Sequence, residues 1–141
     1  MFTIPSDTKQ IPGFDNYFVD IDGNIYTQQH ITMRYSKPFN DGRARSKQEM
    51  IVRGCQKKLT LNKVTGYLQC AAVDNNNKLK TLYPHRCVAL TFLGSAPDEK
   101  SVVDHLDSNR RNNSVSNLEW CSQKENVRRT WKRKLQLEET V

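Results

Sequence analysis

The chain has 141 residues, with 22 Lys plus Arg against 15 Asp plus Glu and a net charge of +7, a length that suits one compact domain or two small lobes and excludes a large multidomain enzyme. The apolar share of 36% leaves a modest core, no stretch approaches the roughly 18 apolar residues of a membrane span, and the opening Met-Phe-Thr-Ile-Pro-Ser-Asp lacks the basic region and apolar run of a signal peptide. These features predict a cytoplasmic protein with no membrane contact and a polyanionic partner, most commonly nucleic acid.

In chain order, Tyr17 to Tyr26 alternates apolar residues around Asp22-Gly23, a dipeptide that favours the type I′ turn of a β-hairpin. Residues 36–50 hold Pro, Gly and basic side chains without periodicity, which predicts a long basic loop or a segment ordered by its ligand. Gly66 to Tyr83 reads as a second hairpin across the turn-rich Asp-Asn-Asn-Asn-Lys. From Pro84 the pattern becomes a short helix stopped by Gly94, with Val88, Leu90, Thr91 and Phe92 packing on a sheet; His85 caps it or faces nucleic acid, with a direct catalytic part as the alternative. Val102 to Leu106 reads as a strand, residues 107–114 as a loop, and Val115 to Cys121 as a second strand. Ser122 and Glu125 have the S-x-x-E form of a capping box, so a helix begins there with Val127 and Trp131 on its inner face. Trp120 and Trp131 are expected in the core, and His30 on the surface. Cys55, Cys70, Cys87 and Cys121 form no C-x-x-C pair, which predicts small buried hydrophobes and not a zinc site.

The charge is unevenly spread. Residues 42–63 hold 7 basic and 1 acidic side chain, and residues 122–134 hold a second basic cluster with Glu125 as its lone acid. Two such patches suit a groove that meets a phosphate backbone at two places. Candidates for phosphate contact are Lys57, Lys58, Arg86, Arg110, Arg111, Arg128 and Arg129.

Hydrolysis of a phosphodiester needs a base for the water, an electrophile for the phosphate and help for the leaving oxygen. A histidine beside a metal-bound carboxylate is a minimal kit for this. Asp104-His105 supplies such a pair on a strand, and Asn126 on the following helix adds a hard amide oxygen suited to Mg²⁺. An isolated Asp-His pair is more often a salt-bridged surface dipeptide, so its surroundings decide.

Those surroundings, VVDHLDSNRRNNSVSNLEWCSQKENVRR, resemble the HNH nuclease motif of homing endonucleases and of free-standing relatives common in phages. The matching positions are Asp104, His105, Asp107, Asn112 or Asn113, Asn117, Leu118, Trp120, Glu125 and Asn126. Upstream, His85, Arg86, Ala89 and Phe92 resemble the helix that precedes the motif, and the segment from Ile11 to Thr27 resembles, more weakly, the small module that often opens such proteins. One departure is Ser108 where glycine is usual.

The resemblance implies an α+β protein: N-terminal antiparallel β-hairpins followed by a C-terminal ββα-metal (HNH) unit. The expected divisions are a DNA-binding module over 1–83 with its basic loop, the nuclease unit with its preceding helix over 84–134, and an acidic tail over 135–141. His105 resembles the general base, Asp104 and Asn126 the ligands of one divalent cation, Mg²⁺ or Mn²⁺, and Asn117 the residue that braces the loop and helps hold the base. The implied activity is cleavage of double-stranded DNA to 5′-phosphate and 3′-hydroxyl ends, by a monomer or weak dimer of phage origin acting in the bacterial host cell. A DNA- or protein-binding regulator that keeps the fold without catalysis is the alternative, and charge alone does not separate DNA from RNA.

Overall fold

In the computed structural model, residues 2–35, 40–43 and 46–139 are described. They form eleven short strands, one short helix and one long one. A four-stranded antiparallel sheet comes first, ordered β1-β2-β3-β6, from β1 (Lys9–Ile11), β2 (Phe14–Val19), β3 (Ile25–Thr27) and β6 (Cys55–Gln56). A two-stranded ribbon pairs β4 (His30–Tyr35) with β5 (Lys47–Val52). The third sheet orders β7 (Thr60–Leu61), β8 (Leu68–Val73) and β9 (Leu79–Leu82). Helix α1 (Pro84–Val88) runs on as a π-helical turn over Ala89–Leu93, and the chain then forms β10 (Val102–His105), β11 (Leu118–Cys121) and helix α2 (Gln123–Glu139).

The first hairpin is present, but its turn differs from the type I′ expected of Asp-Gly. The Gly23 amide bonds the Asp20 carbonyl at 3.2 Å and the Asp20 amide the Asn24 carbonyl at 3.1 Å, with a positive φ of 88° at Gly23 alone. This is a three-residue loop closed by a left-handed glycine. Asp20 selects it: its buried carboxylate accepts from the Asp22 and Asn24 amides, the Asn24 side chain and the Tyr26 hydroxyl.

Part of the basic stretch expected as a loop is strand β5, paired along its whole length with β4. Ile31 and Ile51 face each other there, 63% and 64% exposed, so the apolar alternation that announces a strand is not tied to a core at this site. Residues 36–39 and 44–45 of that stretch lie outside the described residues.

Among the described residues there is one core cluster. Ile11, Tyr17, Val19, Ile25, Cys70, Ala72 and Leu82 meet Cys87, Val88, Ala89, Val103 and Leu118, with Phe92 and Trp120 packed at the edge. Residues 1–83 and 84–134 thus share their interior. Pro84 opens α1 and Gly94 ends the π-helical turn with φ 86°. The four thiols are free; Cys70 and Cys87 are buried, whereas Cys55 is exposed and Cys121 half-buried. Burial pushes the Cys87 thiol up to about 12.

Candidate active site

Strands β10 and β11 pair antiparallel with Asp104 opposite Glu119 and His105 opposite Leu118. The second strand is shorter than expected, because Val115–Asn117 is a 3-10 turn. Val103, Asp104 and His105 are all buried, since α2 covers one face of the ribbon and the main core the other. Ser122 begins α2 as its capping residue, its hydroxyl accepting the Glu125 amide at 3.1 Å.

The inner face of α2 is the reverse of the expected one. Val127 and Trp131 are exposed, whereas Arg129 and Arg133 turn inward to Asp104. Arg133 bonds both Asp104 carboxylate oxygens, at 3.1 and 2.8 Å, and also the His105 carbonyl and the Ser108 hydroxyl. Arg129 bonds Asp104 Oδ2 at 3.2 Å and pairs with Glu119 and Glu125. Burial pushes the Asp104 carboxyl up, but hydrogen bonds and charge from Arg133 and Arg129 outweigh it and hold the group below its ordinary value. The carboxylate is therefore ionised in spite of its burial. The helix also runs through Leu135 to Glu139, where a tail had been expected from 135.

The loop between the strands is held by Asn117. Its side-chain oxygen accepts the Asp107 amide at 3.0 Å, and its amide donates to Asp107 Oδ1 and to the Asn112 carbonyl, each at 2.9 Å. Bonds from Asn112, the Asn109 amide and Asn117 pull the Asp107 carboxyl below its usual value. Ser108 sits at φ 63°, the left-handed region that explains why glycine is usual at this position. Asn117 thus ties the two ends of the loop, its side chain bonding Asp107 and Asn112. His105 is instead held by Asn113, whose Oδ1 lies 2.9 Å from His105 Nε2.

A small cleft of about 90 Å³ is lined by Tyr67, Val103, Asp104, His105, Ser108, Arg110, Asn126, Thr130 and Arg133. It gathers Asp104, His105 and Asn126, brought together from β10 and α2. Tyr67 stacks on His85 at 4.4 Å and on His105 at 5.9 Å between ring centroids, and the Arg110 guanidinium covers the tyrosine while bonding the Thr65 carbonyl. His85 is buried and does not face outward; its Nδ1 has no partner among the described residues, and burial, with His105 and Arg86 nearby, lowers its pKa to about 3. His30 is half-buried, its Nδ1 on the Gln28 carbonyl.

Of the phosphate candidates, Arg86, Arg111 and Lys58 are exposed, Lys57 is half-buried, and Arg128 stands 3.8 Å from Glu125 on the surface. Arg110 lines the cleft, whereas Arg129 is committed to three carboxylates. Sequence reasoning missed Tyr67 and Arg133: neither has a motif position, although Arg133 lies one helical turn after Arg129, the spacing that puts both on one face.

The strand pair, braced loop and covering helix form one unit, and comparison with known proteins finds its likeness among HNH endonucleases. Residues 82–128, a third of the chain, match the family model described as HNH endonuclease. An uncharacterized HNH endonuclease of Acanthamoeba polyphaga mimivirus is 31% identical over 116 residues, 82% of this chain and 23% of the relative. DNA endonuclease I-HmuI of Bacillus phage SP01 is 48% identical over 50 residues, 36% of this chain and 28% of that protein. A solved structure of DNA binding and cleavage by the HNH homing endonuclease I-HmuI superposes with a TM-score of 0.63 at 29% identity, covering 90% of this chain and 59% of that one. The chain thus spans about a quarter of the length of the curated relatives it matches.

Proposed function

We propose that this chain is a metal-dependent DNA endonuclease of the HNH type that hydrolyses one phosphodiester per encounter, leaving 5′-phosphate and 3′-hydroxyl ends. The observation that carries the reading is the gathering of a buried histidine, an ionised carboxylate and an amide oxygen on one cleft. His105 takes a proton from water through the ring nitrogen that Asn113 does not engage. Arg110 lines the same cleft and offers positive charge to the phosphate. Exposed Lys58, Arg86, Arg111 and Arg128, with Lys57, grip the double-stranded DNA outside the site.

The donor set fits a hard divalent cation, Mg²⁺ or Mn²⁺. Among the described residues no three His, Cys, Asp or Glu side chains gather, but one carboxylate and one amide on a cleft open to substrate phosphate is the sparse oxygen set that Mg²⁺ uses. Asp104 and Asn126 would hold it. When bound, the cation supplies Lewis-acid stabilisation of the phosphate and of the departing 3′ oxygen. No helix among the described residues is long and apolar enough to cross a membrane.

Relaxation of supercoiled plasmid tests the reading. The wild type should nick with Mg²⁺ or Mn²⁺ and stop with chelator, and His105→Ala should fall by on the order of 10²–10⁴-fold, the usual worth of a positioned base. Mutants that nick as fast as the wild type would remove the site. A catalytically silent binding protein is the second reading, and the observation on its side is that both Asp104 oxygens are already held by arginine. A wild type that binds DNA and cuts none under any metal would select it.

A further inference from the structure

The cleft at Asp104 and His105 does not close on itself. A groove of about 390 Å³ runs on from it, sharing Tyr67, Val103, Arg110 and Asn126 with the cleft and adding Tyr83 and Arg86. Tyr83 and Arg86 also line a third hollow, of about 510 Å³, which reaches the β1–β2 turn at Gly13 and the β8–β9 turn at Asn75. The three cavities therefore lie in series. The cleft, at about 90 Å³, admits little beyond a reacting group, whereas each of the other two has the size of a ligand site, about 300–1,000 Å³.

The chemistry of the series is uneven in an informative way. The far hollow has an apolar lining of Ile11, Phe14, Leu82, Cys87 and Leu90, together with two exposed cations, Lys80 and Arg86. Neither cation has an ion-pair partner among the described residues. Its carboxylate, Asp74, is engaged by its own turn, where Oδ1 accepts the Asn76 and Lys78 amides at 2.9 Å each. Tyr83 is half-buried, its ring tilted 51° against His85 at 5.9 Å, and it lines both hollows. At each stage from the cleft outward a cation accompanies an aromatic ring: Arg110 with Tyr67, Arg86 with Tyr83, Lys80 with Phe14. The first pair is already stacked, Arg110 on Tyr67 at 5.2 Å and Tyr67 on His85 at 4.4 Å, which leaves Tyr83 and Phe14 as the rings open to a ligand.

A duplex cannot use such a lining, because its base faces are stacked away and its surface is phosphate and sugar. An unpaired strand can: its base faces lie on aromatic and apolar side chains while its phosphates meet the cations, the combination by which single strands are held. We propose that the groove from the cleft past Tyr83 to Phe14 holds an unpaired DNA strand, so that the favoured substrate is a duplex bordering a single-stranded segment. Arg86 then stands where the paired region gives way to the single strand. The inference rests on the nuclease reading for its use in cutting, whereas the strand binding itself requires no cleavage.

Fluorescence anisotropy in the presence of chelator separates the two. The labelled probes are a blunt duplex and the same duplex carrying an unpaired tail of about ten thymidines on its 5′ or its 3′ end. The wild type should bind one of the tailed duplexes on the order of 10-fold more tightly than the blunt one, the worth of a stacked base. Tyr83→Ala and Lys80→Glu should each bring that ratio close to one. Tyr83→Phe, which keeps the ring, should retain it, a rescue that loss of the α1 cap alone does not predict. A 2-aminopurine placed in the tail should be quenched on binding to the wild type and to Tyr83→Phe but not to Tyr83→Ala. Should Tyr83→Ala not fold, Lys80→Glu on the exposed side of β9 still decides. Equal affinity for blunt and tailed duplexes overturns the proposal, as does a ratio unmoved by either Tyr83→Ala or Lys80→Glu. Free thymidine monophosphate that binds as tightly as the tail would make the hollow a site for a free nucleotide and overturn it too. A tail preference in a protein that nicks no plasmid upholds the groove and sinks the nuclease reading; plasmid nicking without any tail preference does the reverse.

Discussion

Around Asp104 the charged side chains have internal partners: Arg133 and Arg129 hold Asp104, and Arg129 also holds Glu119 and Glu125. Along residues 47–63 the situation is opposite. Lys47, Arg53, Lys57, Lys58 and Lys63 are exposed or half-buried, and no ion pair among the described residues engages them. Both regions contribute to the basic character of the chain, yet one spends its charge on holding a buried carboxylate ionised and the other leaves it available to a polyanion. Net charge by segment therefore marks where a ligand is gripped, and says little about where arginines do structural work.

The largest effect that sharpens this contrast is expected at Asn117. Its replacement by alanine removes three hydrogen bonds made by a buried side chain to the loop and should cost about 1–3 kcal/mol in chemical denaturation; a loss below about 0.5 kcal/mol would show that the loop has other supports. Next comes pH. The His85 ring, ordinarily titrating at 6.5, stays neutral in the folded protein down to about 3, so the unfolded chain takes up a proton that the native state refuses. Stability should be full above 6.5 and fall as pH drops toward 3, by up to about 1.4 kcal/mol per unit for this one proton. His85→Phe should remove that part of the slope, and equal slopes in the two proteins would place the ring in contact with water.

In the open region, replacing Lys57 and Lys58 together should weaken DNA binding and shallow its dependence on log salt by up to about two units, measured by titration at several ionic strengths. Arg129→Ala should leave that slope unchanged, because its charge is internally paired; a shallower slope would put it on the DNA. Smallest of all, Trp131→Ala should change stability by less than about 0.5 kcal/mol, as an exposed surface position does. A larger loss would return the indole to the core.

What could be read in advance depended on whether the determinant was local. Pro84, Gly94 and Ser122 mark helix ends through their own backbone chemistry, and each stands where it was expected. Asp104, His105 and Asn126 fall within a single strand-loop-strand-helix unit whose motif could be read along the chain, and one cleft gathers them. Tyr67 could not be found in this way, because it reaches His105 from the connection between β7 and β8 and nothing in its neighbourhood announces the contact. The face of α2 was misjudged for a related reason. Apolar residues at 127 and 131 normally mark the buried side of a helix, but the surface it covers presents the Asp104 carboxylate, and arginines at 129 and 133 complement that better than a tryptophan.

The bond from the Val115 amide to the Ile21 carbonyl bears on transplantation. The segment from residue 84 onward, lifted out and fused to a foreign domain, would arrive with that amide unmatched and with Val88, Ala89 and Leu118 stripped of the neighbours that cover them. A portable version has to bring the opening hairpin along as part of the cargo, so the shortest transferable cassette is set by contacts across the fold and not by the limits of the motif.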